Sequence, residues 1–370
     1  METRPFLALL AGLVPGLALA TEPFPAPASA AAPAPAATPG PLPTPSVHGQ
    51  LQAGFNSHPE AQALADDAHV SFGLQRAQIA LEGELVPERM GYAVTVDFAE
   101  SAGLPGGAGV PVRDAVLEFR NEGMRVRLGQ FRTPLSREGG DGPADVFLPE
   151  RSTIVKSMGR AYDPGVEISQ EFPGVRVSLS AQNGSGPNQA DRDGSKDLAL
   201  RVDGDILDAD ALRLALGATI LRTLGPKDDP GRLAWAADVR FEAGAATVQG
   251  ELLGQQWVQA KKDGGEVDPQ KGGYLLFGYT LGALAQPVVR LGFFDAPGIP
   301  TSVEAGNTDE YDWTVGVNFF VIDQGAKGAD RYSDHPEWST AKLQAAWQQF
   351  YDKKFDTSAG SLIVSALGAF

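Results

Sequence analysis

From Val47 to the last residue, short runs in which apolar and polar residues alternate recur along the chain, and the connections between them are long and short in turn. Side chains at a period of two point to opposite faces of a strand, so each run has one apolar and one polar face. Ala77, Ile79 and Leu81 alternate with Arg76, Gln78, Ala80 and Glu82. Tyr92, Val94, Val96 and Phe98 alternate with Ala93, Thr95 and Asp97. Ala115, Leu117 and Phe119 alternate with Asp114, Glu118 and Arg120, and Val126 and Leu128 with Arg125, Arg127 and Gly129. Polar gaps run over 56–69, 100–111, 132–163, 183–194, 222–231, 258–272 and 296–310. Between them sit tight turns at Asn121-Glu122-Gly123, Phe172-Pro173-Gly174, Asp208-Ala209-Asp210, Ala243-Gly244-Ala245 and Leu284-Ala285-Gln286. A closed antiparallel barrel in an outer membrane has this form, with apolar residues toward lipid, polar residues toward the lumen, long loops outside and short turns in the periplasm. Arg or Lys facing lipid at the midplane costs about 2–4 kcal/mol, so the phase of each strand is imposed.

The runs number about 16, which predicts an all-β, transmembrane antiparallel β-barrel over residues 47–370. An even count places both ends in the periplasm. One connection breaks the pattern: 322–340 is long where a short turn is due. Either that turn is elaborated, or the last strand is Leu343 to Phe350 and a tail follows. Tyr92, Phe131, Trp257, Tyr274, Tyr311 and Trp313 fall near run ends, as interfacial girdles do, although the core of a soluble sandwich would use aromatics as well. The final run, Leu362 to Phe370, is expected to turn Leu362, Val364 and Ala366 to lipid and to offer Phe370 to the barrel-assembly machinery.

The termini and composition fit this reading. Residues 1–20 have the form of a cleaved signal peptide: Arg4, an apolar stretch from Phe6, and an Ala18-Leu19-Ala20 cleavage site. Residues 21–46 carry nine prolines among alanines. They form an extended periplasmic linker, either a spacer or a disordered tail. With a net charge of -16 the chain is a poor partner for nucleic acid. It has no cysteine, hence no disulfide framework and no thiol chemistry. His48, His58, His69 and His335 are scattered without metal-ligand spacing, and no hydrolase or nucleotide motif occurs. Neither catalytic residues nor a cofactor or metal are expected.

Several runs resemble strands of the phosphate-selective porin O and P family. They are Gly73 to Gly83, Val112 to Phe119 with its Arg113-Asp114-Ala115 core, and Val315 to Phe319. Most specific is Arg127-Leu128-Gly129-Gln130-Phe131-Arg132-Thr133-Pro134-Leu135, which is similar to the family's G-Q-F-[KR]-x-P hallmark through Gly129, Gln130, Phe131 and Pro134. Glu150-Arg151-Ser152, Asn183 to Gly186, Lys196-Asp197 and Arg201 fit the same pattern. The resemblance spans about Val70 to Phe350.

It implies a 16-stranded, usually trimeric outer-membrane channel narrowed by an infolded third loop that carries arginines and lysines. The third long gap here offers Arg132, Arg137, Arg151, Lys156 and Arg160. The lumen wall beside it would carry Arg76, Arg113, Arg120, Arg125 and Arg127. Partners would be small solutes or inorganic anions, possible phosphate included, with outer-membrane lipid and lipopolysaccharide around the barrel. The same loop also holds Glu138, Asp141, Asp145, Glu150 and Asp163, and selectivity follows the local ring of charge. An unselective general porin is therefore the alternative, and a secreted or surface β-protein with a binding or adhesive role is a more distant one. The wall arginines have a plainer role open to them as well, pairing with neighbouring acids such as Glu118.

Overall fold

The computed structural model describes residues 44–58, 69–101, 112–142, 145–159, 162–191, 194–209, 211–225, 231–257, 269–282, 284–296, 308–323, 340–352 and 357–369. The leader 1–20, the proline-rich stretch up to residue 43, Arg160 and Phe370 lie outside the described residues.

Sixteen strands follow one another around a closed barrel. They are β1 (Ser46–His58), β2 (His69–Val86), β3 (Met90–Asp97), β4 (Val112–Asn121), β5 (Met124–Arg132), β6 (Tyr162–Phe172), β7 (Val175–Gln182), β8 (Lys196–Ala209), β9 (Leu212–Leu224), β10 (Arg232–Ala243), β11 (Ala246–Trp257), β12 (Gln270–Tyr279), β13 (Ala285–Ala296), β14 (Thr308–Asp323), β15 (Thr340–Asp352) and β16 (Thr357–Ala369). Each pairs antiparallel with its neighbours in sequence, and β1 also pairs with β16, so the sheet has no edge. Closure satisfies the main-chain groups between strands, the condition for a sheet to sit in lipid. Three short helices interrupt the series: α1 (Phe98–Ser101) after β3, and α2 (Arg137–Gly140) and α3 (Thr153–Met158) between β5 and β6.

The period-two phase appears directly in exposure. Ile79, Leu128, Ile220, Leu252, Leu275, Leu291 and Val315 stand on the outer face. Arg76, Arg127, Arg201, Asp238, Glu251 and Arg290 are buried inside. Leu362 and Val364 face outward as expected, while Ile363 and Ser365 between them are buried. The tight turns obey local stereochemistry. Glu122 (φ 47) and Gly123 (φ 82) both have positive φ, the requirement of a primed two-residue hairpin.

Strict alternation fails where the ladder bulges. Counting from Ala115 and Leu117 would send Arg113 to lipid. The β3–β4 register shifts between Thr95 and Val96, leaving Arg113 as the extra residue. It turns inward, with Nη2 3.3 Å from Asp97 Oδ2. A bulge re-aims a side chain in this way.

Four expectations need correction. Both β15 and β16 exist, so the chain does not end its barrel at Phe350. Connection lengths invert at the close: 324–339 is long on the short-turn side, and only 353–356 join β15 to β16 on the other. The turn placed at 284–286 lies at 280–284, because Leu281 bridges Ala285 and Gln286 is already in β13. Phe131 and Tyr274 are buried inside the barrel and are not part of a girdle, while Tyr311 and Trp313 do stand on the outer face.

Candidate functional site: the infolded third loop

The connection between β5 and β6 turns into the barrel and runs along the inner wall from β9 to β15. Its first step is fixed by Thr219 of β9, whose hydroxyl donates to the Pro134 carbonyl at 3.0 Å. Arg137 then reaches β10, with Nε donating to Asp238 Oδ1 at 2.6 Å. Ser136 Oγ donates to Glu251 Oε2 of β11 at 2.6 Å, and the Glu138 amide donates to the same carboxylate. Farther on, Arg290 of β13 donates to the Glu150 carbonyl at 2.9 Å. Asn318 of β14 donates to the Phe147 carbonyl at 2.8 Å, and Lys342 of β15 to the Val146 carbonyl at 2.8 Å.

Packing accompanies these bonds. Leu135, Phe147, Leu148, Ile154, Val155 and Met158 from the loop join Ala199, Leu221, Ala234, Leu253, Leu276, Val288 and Ala346 from the wall in one apolar cluster. The wall makes room with small residues. A Cβ on Gly316 would stand 2.7 Å from Leu148, and one on Gly272 2.9 Å from Ile154. Burying such side chains is worth about 1.5–3 kcal/mol each, enough to hold the loop against the wall and leave its other side toward β1–β6.

On that facing wall most arginines are neutralised by a neighbour. Arg113 pairs with Asp97 at 3.3 Å, Arg127 with Glu167 at 3.3 Å, Arg125 with Glu118 at 3.6 Å, and Arg120 with Glu118 at 2.5 Å and Glu84 at 3.1 Å. Arg127 also lies over the Phe131 ring at 4.8 Å. Arg113 and Arg132 lie over the Tyr162 ring at 5.2 and 5.1 Å. In the loop, Arg137 is tied to the wall by Asp238, and Lys156 is exposed with Glu150 at 3.7 Å.

Arg132 and Arg151 are held differently. Arg132 Nε donates to the Tyr162 hydroxyl at 3.1 Å and Nη1 to the Gly140 carbonyl. Arg151, 3% exposed, donates Nε to the Glu138 carbonyl at 2.8 Å and Nη2 to the Asp141 carbonyl at 2.5 Å. Its hydrogen bonds thus go to carbonyl dipoles and not to carboxylates. Burial, with the nearby Arg76 and Arg132 cations adding to it, pushes its guanidinium down to about 10. It remains protonated at neutral pH. Among the acids of the loop, Glu138 accepts from the Ser152 amide and hydroxyl at 3.0 and 2.8 Å. Burial and the neighbouring Asp141 push the Asp145 carboxyl above its ordinary value, which weakens its negative charge.

The family hallmark has a structural role. Gly129 has φ +131, and a Cβ there would run into the Ala115 carbonyl. Gln130 donates to the Arg113 carbonyl at 3.0 Å and accepts from the Asn188 amide at 2.7 Å. Phe131 is fully buried and Pro134 starts the inward turn.

Sequence reasoning did not single out Asp238, Glu251, Arg290 or Lys342. The signal was there for Arg290, a cation between the outward Val289 and Leu291. What the sequence could not give was the loop 140 residues earlier to which it bonds.

The sequence profile of the phosphate-selective porin O and P family matches residues 46–249. No curated protein sequence matches the chain. Among solved structures, an anion-selective porin from Comamonas acidovorans superposes with a TM-score of 0.63 at 14% identity, over 88% of this chain and 99% of that one. Pseudomonas putida OprB gives 0.60 at 9% identity, over 88% and 94%. The outer-membrane protein OmpT of Vibrio cholerae, in its trimer form, gives 0.57 at 11%, over 88% and 99%. At these identities the likeness is one of fold.

Proposed function

The chain belongs to the phosphate-selective porin O and P family, and from that premise we propose that this outer-membrane porin passes small hydrophilic solutes by passive diffusion with a preference for anions, inorganic phosphate among the candidates. No bond is made or broken. The observation that carries the preference is the handling of Arg151, a buried cation bonded to carbonyl oxygens and close to Arg76 and Arg132. Fixed positive charge beside a narrow, poorly screened passage lowers the energy of an entering anion and raises that of a cation. Arg132 and Arg151 supply this field from the loop and Arg76 from the wall. Arg137 serves chiefly as a strut, and the paired wall arginines chiefly as structure.

The rest of the reading concerns the whole chain. Residues 1–20 direct secretion and are removed, and 21–46 space the barrel from the periplasm. Phe370 is the residue offered to the assembly machinery, lipopolysaccharide and lipid surround the barrel, and the assembly is a homotrimer like the form described for Vibrio cholerae OmpT.

The test is the reversal potential of the purified barrel in a planar bilayer under a salt gradient. Arg132→Ala and Arg151→Ala should each move it toward the cation side. If neither moves it, the two arginines are structural and the protein is a general porin.

A further inference from the structure

We infer that Glu251, a wall residue, positions Arg151 through α2 and so tunes the selectivity of the pore; the inference rests on the anion preference proposed above. Glu251 is 2% exposed on the inner face of β11. Its carboxylate accepts from the Ser136 hydroxyl at 2.6 Å, from the Glu138 amide, and from the Tyr274 hydroxyl at 3.0 Å. Tyr274 is itself held by Gln249 at 2.7 Å. Ser136 is the N-cap of α2 and Glu138 lies in its first turn. The carbonyls that receive Arg151 belong to Glu138 and to Asp141, the residue closing α2. One short helix therefore joins the wall carboxylate to the guanidinium. The Glu138 side chain, through Ser152, fixes the residue next to Arg151.

The charged groups around Glu251 are Glu138, Asp141 and Arg137 from the loop, Asp238 from β10, and Arg290 from β13 beside Glu138. All three donors to Glu251 are matched to an ionised, acceptor-only carboxylate. An amide in its place turns an N–H₂ toward a donor, and α2 loses a charge-assisted anchor.

The direction of the effect separates positioning from plain electrostatics. A negative charge near the constriction opposes anions, so removing it by field alone would strengthen anion preference. Removing an anchor that holds Arg151 in place weakens it.

The experiment is Glu251→Gln in a planar bilayer under a salt gradient, with heat-modifiable migration to show that the barrel is folded. Positioning predicts a shift of the reversal potential toward the cation side. It also predicts that Arg151→Ala added to Glu251→Gln shifts it less than Arg151→Ala does alone. A shift toward the anion side, or none, overturns the inference. Ser136→Ala, which removes no charge, should shift it in the same direction by less, and decides the matter if Glu251→Gln does not fold; an unchanged value there overturns the inference. Arg151→Ala without effect on its own would instead overturn the reading of the pore on which this rests.

Discussion

Arg127 and Arg151 are both buried arginines of one lumen, and their partners give them different work. Arg127 lies 3.3 Å from the Glu167 carboxylate, so its charge is cancelled where it stands. Arg151 leans on carbonyl oxygens and keeps its field. Removing one member of a buried ion pair strands the other and costs about 3–5 kcal/mol. Arg127→Leu should therefore lower the unfolding free energy by about that much in a urea titration of the detergent-solubilised barrel. A loss well under about 1 kcal/mol would mean that lumen water screens the pair. At this scale the sequence was partly legible. Alternation marked Arg76, Arg125 and Arg127 as inward, since lipid excludes charge. It could not mark Arg113, whose direction depends on the bulge opposite Thr95 and Val96. Nor could it separate Arg137, tied to Asp238, from Arg151 three turns of chain later, because those partners come from elsewhere in the fold.

Strands and turns were the legible elements, since period two and turn chemistry are local. The path of the third loop was not, because its anchors are remote: Ser136 and Glu251 are 115 residues apart in sequence. A trace survives in the small lumen-facing residues of the late strands, which read as weak strand positions until the loop is seen to fill the space beside them. Gly316 is such a place, with Leu148 against it. Gly316→Val should push the loop off β14 without opening the barrel. The expected result is a changed single-channel conductance with normal heat-modifiable migration. An unchanged conductance would mean that the loop yields at Leu148 without moving as a unit. The inversion of connection lengths around β14–β16 is the other element-scale departure, and nothing in the local pattern announced which side would be long.

For the whole molecule, closure of β1 on β16 turns a marginal set of half-apolar strands into one sheet without an edge. That closure was implied by the even count and by the continuity of the phase to the end of the chain. The net charge of -16 was the misleading global quantity. Fields from charges more than about 8–10 Å away are largely screened at ordinary salt, so an ion in the constriction responds to Arg76, Arg132 and Arg151 and far less to acids on distant loops. An acidic protein can on this account hold an anion-preferring pore. The direct measurement is the zero-current potential of the unmodified barrel across a planar bilayer with unequal potassium chloride on the two sides. The account predicts a potential displaced toward the chloride equilibrium value; a potential displaced toward the potassium value, or none at all, would contradict it.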